Sequence, residues 1–252
     1  MGVKKHIPNL ITCGNLFCGC LAIVCAFRGN PILAAYLVGT AAILDFFDGF
    51  AARLLKVSGD MGKQLDSLAD MVTFGVVPGT IMFYMMSASF TINGKCTLLR
   101  ANDISSYWLL IAFLITIFSA IRLAKFNIDT RQTTSFIGVP TPANSILICS
   151  LPLISHFQPE VAGFNVAHII QNAYFLIGLT LIMSYLLVAE LPLFALKFKN
   201  FGWADNKIRY IFLIISAVLL ILFQFIAIPF IIFLYISLSI VNNILNKNKN
   251  EI

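Results

Sequence analysis

The sequence predicts an all-α integral membrane protein with about eight transmembrane helices and an active site at the cytoplasmic end of the second and third. Of its 252 residues, 59% are hydrophobic and only 11% are charged, and the mean hydropathy is +0.90. This composition leaves little polar surface for a water-soluble domain and is typical of multispan membrane proteins. We therefore expect one membrane domain, residues 1–245, followed by a polar cytoplasmic tail at 246–252.

Eight apolar segments divide the chain, and each approaches the roughly 20 residues with which a helix crosses a bilayer. They lie at about 10–28, 31–55, 66–90, 106–126, 138–157, 168–190, 209–226 and 228–245. Only a short turn near Pro229 separates the last two. The third is least apolar at its beginning, because Asp66 and Asp70 lie there. The basic opening before span one is expected to lie along the membrane interface.

The distribution of basic residues predicts the orientation of these spans. With both termini in the cytoplasm, 14 of the 17 Lys and Arg residues fall on the inner side. Only Arg28, Lys95 and Arg100 fall outside, as the positive-inside rule requires. The net charge of +6 then reflects orientation and contact with anionic lipids rather than nucleic-acid binding. We expect the protein in the cytoplasmic (inner) membrane.

Four aspartates interrupt the apolar sequence where span two ends and span three begins, in DFFDGFAARLLKVSGDMGKQLDSLAD. Asp45 and Asp48 are three residues apart and Asp66 and Asp70 are four apart, so each pair projects from one helix face. Carboxylates at membrane depth are costly unless they are paired, bind metal or face a polar cavity. The scattered histidines show no zinc-ligand spacing, and carboxylate oxygens favour Mg²⁺, Mn²⁺ or Ca²⁺. A divalent-metal site is therefore predicted here.

This segment resembles the signature of the CDP-alcohol phosphotransferases at every defined position. The pattern is Asp45-x2-Asp48-Gly49-x2-Ala52-Arg53-x8-Gly62-x3-Asp66-x3-Asp70. The resemblance implies two divalent cations, Mg²⁺ or Mn²⁺, held by the four aspartates, and displacement of CMP from a CDP-linked lipid or alcohol. It also implies that Asp70 is the general base that deprotonates the attacking hydroxyl.

The chemistry of a diphosphate gives a physical reason for these residue types. Its negative charge requires cations for docking and for stabilising the transition state. Gly49 and Ala52 remove side-chain bulk, so a nucleotide can approach the helix backbone. Arg53 can bind a phosphate bidentately, and Gly62 serves a turn or the close approach of span three. Asp60 lies outside the pattern, and we interpret it as an ordinary loop residue.

Three further residues are candidate contacts for the nucleotide. Asn9 and Thr12 match an Asn-x2-Thr pair that the family uses for this ligand near the start of the preceding span. Capping of a helix entrance would explain the same two residues equally well. Ser58 lies in the loop near a position that some relatives use for the nucleotide.

Residues 6–145 further resemble the phosphatidylserine synthase branch of this family, through IPNLIT, GNLFCG, RLAKFN and FIGVPTPA. The resemblance implies a CDP-diacylglycerol–serine O-phosphatidyltransferase that forms phosphatidylserine and CMP from CDP-diacylglycerol and L-serine, acts among membrane lipids and works as a homodimer. The chain departs from the branch at Lys125, where Arg is usual, at Val139, where Leu is usual, and at Asn144, where Ala is common. Lysine keeps the charge but loses the bidentate geometry of arginine.

The candidate ligands for the acceptor or a phosphate lie at the end of span four and in the loop that follows. They are Arg122, Lys125, Asn127, Gly138, Pro140 and Thr141. The two cations could hold a serine carboxylate or the lipid phosphate, although ordinary basic flanks of a span would look the same. The Gly-Val-Pro-Thr-Pro run breaks the helix and leaves backbone groups for a ligand.

Alternatives remain at this point. The same chemistry could use glycerol 3-phosphate, inositol phosphate or choline, although a phosphorylated acceptor should need more cations than Arg122 and Lys125, with Arg131 a possible third. An intramembrane prenyltransferase also binds a diphosphate through aspartates, but it needs a second acidic cluster in the other half of the chain. A cation transporter would use the carboxylates as an ion path, and it gives no reason for the Gly, Ala and Arg of the pattern.

Overall fold

A computed structural model describes residues 6–57, 59–89, 104–129, 135–161, 163–194 and 202–250. The first half contains α1 (His6–Phe27), α2 (Pro31–Leu54), α3 (Asp60–Asp70), a π-helical segment (Met71–Val76), α4 (Val77–Ser89), a 3-10 segment (Ile104–Phe113) and α5 (Leu114–Ile128). The second half contains α6 (Thr141–Phe157), α7 (Val166–Ile170), α8 (Ala173–Val188), α9 (Trp203–Phe223), a 3-10 turn (Gln224–Ile226) and α10 (Ala227–Asn250). Helices therefore occupy all eight predicted apolar stretches, and the all-α membrane class is confirmed.

Within the described ranges, five helical stretches are long and apolar enough to cross a membrane. They are 6–27, 31–54, 60–89, 107–128 and 206–244. The last of these contains α9 and α10, which pack against each other on either side of the 3-10 turn. Helices α6 and α8 are shorter. Predicted span six is divided, because α7 ends at Ile170 with Gln171 as its C-cap, and Asn172 then caps α8 by accepting from the Tyr174 and Phe175 amides.

The continuous helix from Asp60 to Ser89 is the centre of the bundle. Of its apolar stretch, 72% is buried, against 28% for each of the first two helices, whose remaining surface is left for lipid or other partners. Helices α1, α5 and α6 all pack around its π-helical middle. The central position explains how aspartates at the start of an apolar span come to be surrounded by protein.

The π-helical segment begins directly after Asp70. The Val77 amide donates to the Val72 carbonyl, five residues back. Pro78 lies at the next position and has no N–H to donate to the Phe74 carbonyl, so regular α-helical bonding is interrupted at this point. Single π-turns occur often at functional sites.

Two short antiparallel ladders were not predicted. Strand β1 (Ser135–Ile137) pairs with β4 (Pro192–Phe194), and β2 (Glu160–Val161) pairs with β3 (Phe164–Asn165). Helix α6 consequently begins at Thr141 rather than at the predicted 138. The chain turns at Gly138, where φ is +74° and an added Cβ would lie 2.5 Å from the Leu187 carbonyl oxygen. Only glycine fits this combination of dihedral and space.

The division of the chain into a membrane domain and a separate polar tail at 246–252 remains a prediction. The backbone of α10 is helical as far as Asn250.

Candidate metal and substrate site

The four patterned aspartates lie together where α2 ends and α3 runs into the π-helical segment. One carboxylate oxygen from each of Asp45, Asp48 and Asp66 lies within 4.8 Å of the other two. The Asp70 carboxyl is within hydrogen-bonding reach of Asp45. Ionised carboxylates this close repel one another unless cations bridge them. Three converging hard oxygen donors with a fourth beside them therefore fit divalent ions of the Mg²⁺ or Mn²⁺ type.

Helix α1 supports two of the aspartates from one face. The Thr12 hydroxyl donates to Asp48 Oδ2 at 2.6 Å, and Asn15 Nδ2 lies 3.4 Å from Asp70 Oδ1. Both supporting residues are buried, at 4% and 0% exposure, so these bonds are shielded from solvent. Sequence reasoning missed Asn15, although its three-residue spacing from Thr12 places it on the same helix face.

A cavity of about 280 Å³ opens beside the aspartates. Its lining comes from α1, the end of α2 and the start of α3: Pro8, Asn9, Thr12, Asp48, Gly49, Ala52, Val57, Gly59, Gly62, Lys63 and Asp66. Five of the predicted nucleotide contacts are in this lining. An added Cβ at Gly49 would meet no atom within 4 Å, whereas one at Gly62 would lie 3.2 Å from Asn9 Oδ1. Glycine at 49 therefore leaves open space, and glycine at 62 permits close packing.

Of the described nucleotide candidates, Arg53 is not in this lining, and one cation that was not predicted is. Arg53 is exposed on the last turn of α2, and Ser58 lies outside the described residues. Lys63 lines the cavity and donates to the Asn127 carbonyl at 3.3 Å. Its position on the first turns of α3, one residue after Gly62, was a usable signal for a phosphate contact.

A second cavity, of about 310 Å³, lies between the end of α5 and the β1–β4 region. It is lined by Arg122, Lys125, Ile128, Asp129, Ile137, Leu187, Val188 and Glu190. Two cations and two carboxylates thus face one space. Such a mixed lining suits a zwitterion better than a doubly charged anion, which both carboxylates would repel.

Arg122 connects the second cavity to the aspartates. It is 6% exposed, and its Nη1 donates to Thr141 Oγ1 at 3.1 Å. Its guanidinium lies 5.8 Å from the centre of the Phe126 ring and interacts electrostatically with Asp70. Its Nε has no hydrogen-bond partner among the described residues. A buried charged donor without a partner is costly, so this N–H is available to a ligand.

The remaining predicted acceptor residues differ in position. Lys125 is exposed and lines the second cavity, and Thr141 is fully buried against Arg122. Asn127 donates to Ser67 Oγ of α3 at 2.9 Å and lines neither cavity. Gly138 and Pro140 shape the turn into α6 rather than lining a described cavity.

Two polar residues that sequence reasoning did not select are also buried close by. Ser119, three residues before Arg122, and Asn144, three after Thr141, are both fully buried. The Ser119 hydroxyl and both amide atoms of Asn144 have no partner among the described residues. The departure from the branch pattern at Asn144 was the only sequence signal for either residue. It did not indicate that both side chains are buried, or that Ser119 lies against Gly75 of the π-helical segment.

Residues 5–184 match the family described as CDP-alcohol phosphatidyltransferase. The CDP-diacylglycerol–serine O-phosphatidyltransferase of Bacillus subtilis is 39% identical over 138 residues, which are 55% of this chain and 70% of that protein. The Helicobacter pylori protein of the same name is 32% identical over 179 residues, covering 70% of this chain and 69% of that one. An archaetidylserine synthase of Methanothermobacter thermautotrophicus is 28% identical over 161 residues, which are 63% of this chain and 62% of that protein.

Proposed function

Because the chain belongs to the CDP-alcohol phosphatidyltransferase family, we propose that it transfers the phosphatidyl group of CDP-diacylglycerol to L-serine. The products are phosphatidylserine and CMP. The similar Bacillus subtilis and Helicobacter pylori proteins carry the name of this activity. The observation that carries the proposal for this chain is the grouping of the four aspartates beside a cavity that Asp48 and Asp66 line.

Asp45, Asp48 and Asp66 would hold the divalent ions, with Asp70 completing the set beside Asp45. The family uses divalent metals, and we propose two ions, Mg²⁺ or Mn²⁺. When bound, they would offset the charge of the diphosphate and of the departing CMP. The Thr12 hydroxyl orients Asp48 for this purpose.

The CDP group is proposed to occupy the first cavity. Its phosphates lie toward the aspartates, and the nucleotide extends along the small residues Gly49, Ala52 and Gly62. Asn9 and Lys63 offer an amide and an ammonium to the same space. Arg53 and Ser58 are also proposed to contact the nucleotide or its phosphates.

Asp70 is the proposed general base. It takes the proton of the serine hydroxyl, and the serine oxygen then attacks the phosphorus attached to diacylglycerol. The bond from that phosphorus to the bridging oxygen breaks as the new bond forms, and CMP leaves with the bridging oxygen. Asn15 fixes the orientation of the Asp70 carboxyl through its amide.

The acceptor is proposed to enter through the second cavity. Arg122 Nε and Lys125 bind the serine carboxylate, while the acidic side of the same cavity faces the ammonium group. Thr141 holds Arg122 in place, and Asn127, Gly138 and Pro140 are proposed to shape the surroundings of this cavity. The mixed charge of the lining favours serine over glycerol 3-phosphate or inositol phosphate.

The chain is an integral membrane protein, and we propose that the aspartate end faces the cytoplasm with both termini. The support is the excess of basic residues on that side of the predicted spans. We also propose one membrane domain over residues 1–245 with a polar tail at 246–252, and a homodimer.

The test is release of CMP from CDP-diacylglycerol by purified protein in lipid nanodiscs with Mg²⁺ or Mn²⁺. Acceptors are compared at equal concentration: L-serine, glycerol 3-phosphate, inositol phosphate, choline and none. We expect release that depends on L-serine, with phosphatidylserine as the lipid product. Release that depends on another alcohol and not on serine would reject the proposed acceptor.

A further inference from the structure

Helices α9 and α10 lie beyond residues 5–184, the part of the chain that matches the family. Even so, α10 is bonded to strand β4 through two side chains. The Tyr235 hydroxyl donates to the Phe194 carbonyl at 2.8 Å, and Asn243 Nδ2 lies 2.5 Å from the Pro192 carbonyl oxygen. Both acceptors are backbone atoms of β4, so the helix holds the strand at its two ends.

Aromatic packing reinforces this attachment. The ring of Phe194 lies edge-on to Tyr235 at 5.0 Å between centroids and to Phe212 of α9 at 5.9 Å. Phe212 and Tyr235 are themselves 5.6 Å apart. All three side chains are less than 10% exposed. Such ring pairs contribute beyond their buried area and have defined geometry.

Strand β4 in turn determines the position of the segment that enters α6. Phe136 pairs with Leu193, and the Gly138 amide donates to the Leu191 carbonyl at 3.0 Å. Phe136 also contacts Phe126 at 6.2 Å between centroids, and Phe126 lies under the Arg122 guanidinium. The second cavity is lined from this same region, by Ile137 on one side and 187–190 on the other.

A ladder of three residue pairs is too short to be stable alone. Non-helical backbone within a membrane protein persists only where protein buries it or where it lines a cavity. Leu193 and Phe194 are buried at 0% and 9% exposure, and α10 supplies much of that cover. The ladder therefore depends on α10 for its position.

We propose that α9 and α10 form a clamp on the β1–β4 ladder, and that Tyr235 is a positioning residue for the acceptor cavity. The clamp holds the wall of that cavity and the Arg122–Thr141 pair in the geometry that receives the acceptor. The expected change in the KM for L-serine rests on the proposed function. The expected loosening of the β1–β4 ladder does not depend on which acceptor the enzyme uses.

The experiment compares Tyr235→Phe and Asn243→Ala with wild-type protein in nanodiscs. The phenylalanine variant keeps the ring packing and removes only the hydroxyl. We expect the KM for L-serine to rise about three- to tenfold in Tyr235→Phe, the size expected for one hydrogen bond, and less in Asn243→Ala. The KM for CDP-diacylglycerol should stay within about twofold, because the first cavity does not contact the clamp.

Ser237→Ala is the matched control. Ser237 lies two residues after Tyr235 on α10, is exposed, and donates only to the Phe233 carbonyl of its own helix. This variant should leave both KM values unchanged.

Hydrogen exchange of peptides covering 135–141 gives a readout that needs no acceptor. Exchange should be faster in both clamp variants and unchanged in Ser237→Ala. Unchanged exchange and an unchanged serine KM in Tyr235→Phe would overturn the clamp, as would equal rises in both KM values. A wild-type protein without serine-dependent release would overturn the proposed function instead, and the exchange result would still decide the clamp.

Discussion

The two cavities are built in different ways. The first is lined by residues of α1, α2 and α3 and of the loop between α2 and α3. Most of these lining residues are three or four positions apart, so they share one face of their helix. The second lies between the ends of α5 and α8 and Ile137 of strand β1, whose ladder partners in β4 are more than 50 residues away in sequence. The proposed nucleotide site is therefore built from residues that share a face of their helix. The proposed acceptor site depends on contacts between segments that are far apart in sequence.

Asp70 lies where the two regions meet, so its loss should have the largest effect. Asp70→Asn should lower CMP release by about 10²- to 10⁴-fold, the range for loss of a general base. Binding of CDP-diacylglycerol, measured by calorimetry with Mg²⁺, should be largely retained. Asp60→Asn, at the exposed start of α3, is the control and should stay near wild type. Wild-type turnover by the Asp70 variant would remove this residue from its proposed role.

Arg122→Ala tests the acceptor side alone. We expect kcat/KM for L-serine to fall about 10- to 100-fold, because a buried charged hydrogen-bonding group is lost. The KM for CDP-diacylglycerol should change little. Arg122→Lys keeps a charge without the bidentate geometry, so its kcat/KM for L-serine should lie between those of wild type and Arg122→Ala. Equal losses for both substrates would show that Arg122 serves the whole site and would break the division into two regions.

Thr12→Val tests the nucleotide and metal side. Loss of the 2.6 Å bond to Asp48 should raise the Mn²⁺ concentration for half-maximal activity by about tenfold or more, as for other groups that orient metal ligands. The serine KM at saturating metal should be unchanged. A rise in serine KM with unchanged metal dependence would contradict the assignment of Asp48 as a metal ligand.

Gly49→Leu should have the smallest of these effects. The added side chain enters the first cavity, so the KM for CDP-diacylglycerol should rise about tenfold, the lower end of the effect of one misfitting group in a pocket. The serine KM should stay constant. Gly39→Leu is matched, because Gly39 is on the same helix and its added Cβ also meets no atom within 4 Å. Equal effects of the two substitutions would remove Gly49 from the proposed nucleotide site.

The site was predictable to the extent that its residues belong to regular helices. Spacing alone placed Asp45 with Asp48 and Asp66 with Asp70, and the family pattern indicated that the two pairs meet. Asn15 was within reach of the same reasoning, since it lies one turn from Thr12. The eight helical segments followed from hydropathy, because a bilayer requires long apolar helices whatever their packing.

The sequence by itself thus determined the membrane class, the helices and the acidic pairs. Only the tertiary structure decided that α3 and α4 are joined by a π-helical turn, that β1 pairs with β4, and that Tyr235 bonds to a strand 41 residues away. The physical reason is the range of the interactions. The face of a helix on which a residue lies follows from its spacing to neighbours three or four positions away. A ladder or a clamp forms between distant segments, whose approach depends on the packing of the whole bundle.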